Sequence, residues 1–192
     1  MSTAARSEIA RLVALEAAGV DAAKLADGID RIFRETAARW PDDTAAAQAF
    51  KYLWLDQYLE HERELAFVAM WGASANARDA SVAGYLVGCR VNPAKSSRFA
   101  ELGYFGTFSG LCRAYPAHLH VNVDASHRGR RVGEQLVEAL CAMLANEGVP
   151  GVHVVTGREQ RNVGFYKRLG FGELGCTPRG ATEVLFLGRR LG

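Results

Sequence analysis

The sequence predicts an α/β fold in a single domain over residues 1–192. The expected architecture is a mixed, mostly antiparallel sheet with a central parallel strand pair flanked by helices, plus an N-terminal helical layer. The helical part is expected over 1–62 and the sheet-bearing core over 63–192. Three observations carry this prediction. Residues 117–124 read as a strand, 131–147 as an amphipathic helix, and 151–156 as a β-branched run suited to a buried parallel strand, which together make one right-handed βαβ unit. Residues 65–71 and 82–89 read as the arms of an antiparallel hairpin joined by the small, polar segment 72–79. Apolar residues in the first sixty positions recur at helical spacing.

Each element has a local reason. Ile9, Leu12, Val13 and Leu15 fall on one helical face from Ser7 onward, and Gly19 stops that helix. A second helix starts near Asp21, is interrupted at Gly28, resumes through Ile29, Ile32 and Phe33, and stops at Trp40-Pro41. Asp43 offers a cap for a third, on which Phe50, Leu53, Trp54 and Tyr58 line one face. This alanine-rich layer shows no chemistry of its own. Gly84 and Gly88 within the hairpin suggest a bulge or a close backbone approach. Between Asn92 and Pro116, Phe99, Leu102, Phe105, Phe108 and Leu111 fit a short helix or an aromatic-rich loop, where an acceptor pocket is placed. In the helix over 131–147 the apolar face is Val132, Leu136, Val137, Leu140, Met143 and Leu144, with Gly148 past its end. A further helix carries Asn162 to Leu169 before Gly170, and a last strand is expected near 182–187.

Composition narrows the function. A formal charge of +2 over 192 residues does not describe a general nucleic-acid binder, so the basic residues matter where they cluster, at Arg128, Arg130 and Arg131. Cys89, Cys112, Cys141 and Cys176 lie far apart in apolar contexts, which argues against a zinc site or a disulfide framework. Arg6, Glu8, Arg11 and Glu16 interrupt the N-terminal apolar positions, and no run reaches membrane length. A cytoplasmic protein with no membrane partner and no metal is expected.

The most informative stretch runs from His118 to Leu136. A strand leads into a turn with two glycines and three arginines, and the turn opens a helix whose first N–H groups face outward with a partial positive charge. Glycine lets backbone come close to a ligand, so the turn reads as a pyrophosphate cradle. It also reads as a solvated strand-to-helix connection, since short glycine motifs are weak evidence. The G-x-G-x-x-G spacing of a dinucleotide-binding dehydrogenase is absent.

Two motifs in order give the turn a context. Val121-Asn122-Val123 ends the strand, Arg128-Gly129-Arg130-Arg131-Val132-Gly133 forms the turn, and Asn162-Val163-Gly164-Phe165-Tyr166-Lys167-Arg168-Leu169-Gly170-Phe171 comes some thirty residues later. This arrangement resembles the GNAT superfamily of acyl-CoA-dependent N-acetyltransferases over 117–171, and more loosely over 65–187. The opening strand usual in that family is not evident in the first sixty residues. The segment 115–120 also resembles the acetyltransferase-like domains joined to O-GlcNAc hydrolases. Arg131 stands where the family has its middle loop glycine; positive φ there would be costlier for arginine, although Arg131 could itself reach a phosphate.

The resemblance implies an N-acetyltransferase that uses acetyl-CoA as cosubstrate, with direct attack by an amine of a small molecule or protein in a ternary complex. Backbone at Val121, Asn122 and Val123 would pair with the pantetheine arm and polarise the thioester oxygen. Arg128, Gly129, Arg130, Arg131, Val132 and Gly133 would hold the pyrophosphate. Tyr166 matches the general acid that protonates the departing thiolate. Asn162 would bond the cofactor arm or cap its own helix. His118, His120, Asn122 and Asp124 share one strand face, and His118 or His120 would serve as base toward the amine. Either histidine also reads as a buried, hydrogen-bonded core residue. A non-catalytic acyl-CoA-binding or regulatory module is the alternative, and oligomeric state, homodimer included, is left open.

Overall fold

A computed structural model describes residues 6–72 and 80–192. The chain forms two compact units: residues through Gly88 with His120–Leu140, and Cys89–Leu119 with Cys141–Gly192. The hydrogen-bonded strand order is β1 (Arg6–Arg11), β2 (Ala66–Gly72), β3 (Ser81–Cys89), β4 (Ala117–Val123), β5 (Gly151–Gly157), β7 (Thr182–Arg190), β6 (Gly172–Arg179), mostly antiparallel, with one parallel pair among the described residues.

In the first unit β1 (Arg6–Arg11) leads directly into α1 (Leu12–Ala17). Next come α2 (Ala22–Thr36), α3 (Thr44–Lys51), a π-helical turn (Tyr52–Asp56) and α4 (Gln57–His61). The hairpin is β2 (Ala66–Gly72) and β3 (Ser81–Cys89), and its connecting residues 73–79 lie outside the described residues. The reading of the first sixty residues as wholly helical is corrected at its start. Arg6–Arg11 pairs antiparallel with β2, Arg6 opposite Gly72 and Arg11 opposite Phe67. Its alanine, glutamate and arginine content suits a helix, so pairing with β2 decides its conformation over local propensity.

Caps appear where the sequence places them. Asp21 accepts from the Ala23 N–H at 2.9 Å, and Asp43 from the Ala46 N–H at 2.8 Å. The expected interruption at Gly28 is absent, because α2 runs unbroken through it. A Cβ at Gly28 would meet Val82 Cγ2 at 2.6 Å and Cβ at 2.7 Å, so glycine here allows close approach to β3.

The hairpin contains the bulge its glycines suggest. Ala69 lies opposite Gly84 but Met70 opposite Val82, which leaves Ala83 as the extra residue. Val82 and Gly84 therefore turn to opposite faces, Val82 toward α2 and Gly84 toward Val132 and Leu136. β4 (Ala117–Val123) and α7 (Val132–Asn146) each run from one unit into the other.

In the second unit the segment after β3 forms two single-turn 3-10 helices and the short helices α5 (Tyr104–Thr107) and α6 (Ser109–Ala114). Phe99, Leu102, Phe105 and Phe108 point inward and are buried. β5 (Gly151–Gly157) pairs parallel with the start of β4, Ala117 opposite Val152 and His118 opposite His153. After α8 (Asn162–Arg168), β6 (Gly172–Arg179) and β7 (Thr182–Arg190) close the sheet as an antiparallel hairpin. Strand β6 is not expected from sequence: it lacks a β-branched run and carries Pro178, which an edge strand tolerates. Cys89, Cys112 and Cys141 are buried and outside any disulfide, whereas Cys176, expected in an apolar context, is exposed on that edge. Among the described residues no helix is long and apolar enough to cross a membrane.

Replacing Gly28 with alanine should lower stability by about 1–2 kcal/mol, because overpacking against Val82 outweighs the helix-propensity gain. Urea unfolding measures the loss, and a second change, Val82→Ala, should recover part of it.

Candidate acyl-CoA site

Strand β4 carries several of the candidate residues, and His120, Asn122 and the following Asp124 each meet a side-chain partner. In the first unit the His120 Nε2 lies 3.0 Å from the Tyr58 hydroxyl, the Asn122 amide donates to the Tyr85 hydroxyl at 2.8 Å, and the Arg31 guanidinium donates to Asp124 at 2.6 Å. The partners come from α4, β3 and α2. The N-terminal layer thus supplies two of the hydrogen-bond partners, Tyr58 and Arg31. Its aromatic and charged residues read as a helix face, and nothing local marks them as partners of a strand sixty to ninety residues away.

His118 and His120 have separate environments. His118 is 3% exposed in the second unit, edge-on to Phe99 at 4.7 Å between ring centres and 5.5 Å from the His153 ring. His153 stacks on Phe186 and contacts the Tyr115 carbonyl oxygen at 2.6 Å. His118 thus sits in an aromatic core, which fits its reading as a buried core residue. His120 keeps some solvent contact, with the rings of Trp54 and Tyr58 each 5.2 Å away. Burial of its ring pulls its pKa down to about 4, so the imidazole is neutral and a weak base near pH 7.

The turn after β4 is built from its own side chains. Asp124 accepts from the Ser126 N–H at 2.8 Å and from its hydroxyl at 2.5 Å. Those bonds and Arg31 hold its carboxyl well below the usual carboxylate range. Arg128 Nε donates to the Val123 carbonyl at 3.4 Å, and the Arg130 guanidinium lies 5.0 Å above the Trp71 ring. Gly129 has φ +74° and Arg131 φ +64°. Arg131 is the one non-glycine with positive φ among the described residues, so it adopts the backbone for which the resembling family has glycine. Its side chain donates to Glu134 at 2.9 Å, lowering the glutamate's pKa. The Arg131 carbonyl accepts the opening bond of α7 from the Gln135 N–H at 3.0 Å. Val132, Gly133 and Glu134 therefore present first-turn N–H groups that helix geometry leaves without intrahelical acceptors. Two left-handed residues, open helix-start amides and arginines share this turn, a set of groups whose chemistry suits an anion. Within the second unit Ala117 and His118 of β4 pair with β5, whereas Val121, Asn122 and Val123 belong to the first unit.

In the second unit Tyr166 is 5% exposed, its ring edge-on to Phe165 and Phe171. Burial raises its pKa, so the phenol keeps its proton. Asn162 is not the cap of α8; the N-cap position is Arg161, which makes no side-chain cap bond. The Asn162 carboxamide oxygen instead accepts from the Thr156 hydroxyl on β5 at 2.9 Å. In the segment expected to hold an acceptor pocket, a cavity of about 360 Å³ lies beside Tyr104, Thr107 and Arg179. No group of three or more His, Cys, Asp or Glu residues among the described residues could hold a metal ion.

Arg131→Gly should raise the melting temperature by about 2 °C by relieving left-handed strain, whereas Arg131→Ala, which keeps that strain, should not. For His120, the folded pKa near 4 lies below the ordinary 6.5. The unfolded chain binds more protons between these values, so stability is complete above pH 6.5 and is lost as pH falls toward 4, by up to about 3 kcal/mol. Urea unfolding at pH 7 and pH 4.5 should show that part of the decrease vanish in His120→Gln.

Comparison with known proteins bears on the fold. Residues 99–173, spanning β4, the turn, α7, β5 and α8, match the sequence model of the acetyltransferase (GNAT) domain. The crystal structure of SsHAT superposes with a TM-score of 0.64 at 24% identity, covering 97% of this chain and 99% of that one. The NatC complex bound to Gag peptide and CoA gives 0.62 at 14% identity, covering 97% and 99%. The ribosomal-protein-S18-alanine N-acetyltransferase from Escherichia coli gives 0.54 at 15% identity, covering 98% and 94%. The fold is that of the GNAT acetyltransferases, and the segment matching their domain contains the turn and Tyr166.

Proposed function

We propose that this chain is an acetyl-CoA-dependent N-acetyltransferase that moves an acetyl group to an amine of a small molecule or protein by direct attack. The observation that carries the reading is the turn after β4, where Gly129 and Arg131 take positive φ and α7 opens with free N–H groups. The matching domain and the shared fold support acetyl transfer in general. NatC, bound to a peptide and CoA, is an example of this fold with both kinds of ligand.

In this reading the amides of residues 129–134 and the nearby arginines bind the diphosphate of acetyl-CoA. For Arg131 to contribute, its guanidinium exchanges Glu134 for phosphate. The backbone of Val121, Asn122 and Val123 aligns the pantetheine arm, and an N–H there stabilises negative charge growing on the carbonyl oxygen. The Asn162 amide N–H₂ is the group left to meet the arm, since its oxygen is taken by Thr156. The amine arrives neutral and attacks the acyl carbon, the C–S bond breaks, and the thiolate takes the phenol proton of Tyr166. A phenol with a raised pKa is a weak acid, but a thiolate sharing its apolar surroundings becomes more basic for the same reason. His118 is enclosed, so the amine-side role falls to His120, as a neutral acceptor for an amine N–H. The attached nitrogen gives up one of its two protons to water, and the Tyr166 phenolate regains a proton from water before the next turnover. The protein acts in the cytoplasm.

Tyr166→Phe should lower turnover about 100-fold or more while the melting-temperature rise on adding acetyl-CoA persists. Release of free thiol across a panel of primary amines measures the first and a thermal scan the second. Saturable acetyl-CoA binding by the wild-type protein with no thiol release from any amine would instead make the chain a non-catalytic acyl-CoA-binding module. Absence of any acetyl-CoA effect on melting would overturn both.

A further inference from the structure

We propose that Tyr58 is a positioning residue for the amine acceptor. Its phenol oxygen accepts a hydrogen bond from Nε2–H of His120 and so fixes the tautomer whose bare nitrogen, Nδ1, receives an N–H from the amine. This rests on the acetyl-transfer reading above.

The geometry begins in the helices. Between α3 and α4 the chain makes a π-helical turn over Tyr52–Asp56, a local insertion that helices rarely keep without a use. The turn is stabilised by Gln57, whose amide donates to the Leu53 carbonyl at 2.7 Å. The added residue rotates α4 relative to a continuous α-helix, and the face that arrives at β4 carries Trp54 and Tyr58. Both rings meet the imidazole edge-on, with interplanar angles of 89° and 81°. Tyr58 is 2% exposed, and its hydroxyl lies 3.0 Å from Nε2.

Edge-on rings hold an imidazole in place but do not distinguish its two nitrogens. A hydroxyl at hydrogen-bond distance from one of them does. Were Nε2 to accept from the phenol, the ring proton would sit on Nδ1 and His120 could only donate at its other end. An amine that must keep its lone pair for the acyl carbon gains nothing from such a donor. With the proton on Nε2, Tyr58 accepts it, and Nδ1 offers a lone pair that orients an amine N–H. The phenol thus has the place that a carboxylate or carbonyl takes behind many functional histidines.

Two measurements on the whole chain test this. Nitrogen-15 NMR of labelled protein at pH 7, with the His120 signals assigned by their loss in His120→Gln, should report the Nε2–H tautomer in the wild type. In Tyr58→Phe, which keeps the ring and loses the hydroxyl, it should report a mixture. With 2-phenylethylamine and an N-terminal alanine peptide as acceptors, Tyr58→Phe should lower kcat/KM for the amine about tenfold, leaving the acetyl-CoA melting shift unchanged. An Nδ1–H tautomer in the wild type, or equal tautomer populations in the two proteins, would overturn the proposal. So would an unchanged kcat/KM in an active enzyme. A wild type inactive toward both amines counts against the acetyl-transfer reading, while the NMR result still decides the role of Tyr58.

Discussion

The polar face of β4 is the constraint on which the first unit depends. A strand in the middle of a sheet ordinarily presents apolar side chains to the helices above it, yet His120, Asn122 and Asp124 alternate along one face of this one. Each is costly to enclose without a partner, and each has one from a different element: Tyr58 from α4, Tyr85 from β3 and Arg31 from α2. The N-terminal helices are therefore fixed to the strand at particular atoms as well as by their apolar faces. The Arg31–Asp124 contact also fixes where the strand ends, because the same carboxylate organises the turn through Ser126.

Beyond Asp124 the backbone turns twice through left-handed φ. Two left-handed residues within three positions reverse the chain and aim amides outward, and the arginines in the same turn are held by unlike contacts. Arg128 meets a carbonyl oxygen, Arg130 an indole face and Arg131 a carboxylate. None of these contacts fully buries its guanidinium, so each arginine can exchange its present contact for a phosphate oxygen at low cost. Left-handed strain at Arg131 is tolerated because α7 begins at the next residue, and the helix fixes the chain's direction there.

The histidines show how far environment governs chemistry. His118, His120 and His153 all lie on strands and look alike in sequence. His153 stacks on Phe186, His118 lies edge-on to Phe99, and His120 has a tyrosine hydroxyl 3.0 Å from one nitrogen. Burial keeps His120 uncharged, which suits a hydrogen-bond acceptor better than a strong base.

The sequence alone determined the elements whose signals are local: the strand, turn and helix around Asp124 to Val132, the helix start near Asp21 and the cap at Asp43, the glycine-marked hairpin with its bulge, and the motif ending at Phe171. These rest on period, capping and backbone freedom, which neighbouring residues settle among themselves. Tertiary structure decided the rest. Arg6–Arg11 became a strand because β2 offered it an edge, Gly28 stayed helical because Val82 lies against it, and Asn162 turned to Thr156 instead of capping its helix. Tyr58 became the partner of His120 through a π-turn that no residue type announces. Each of these depends on a group outside its own element, or on a shift of register that changes which side a residue faces, and no local pattern encodes either.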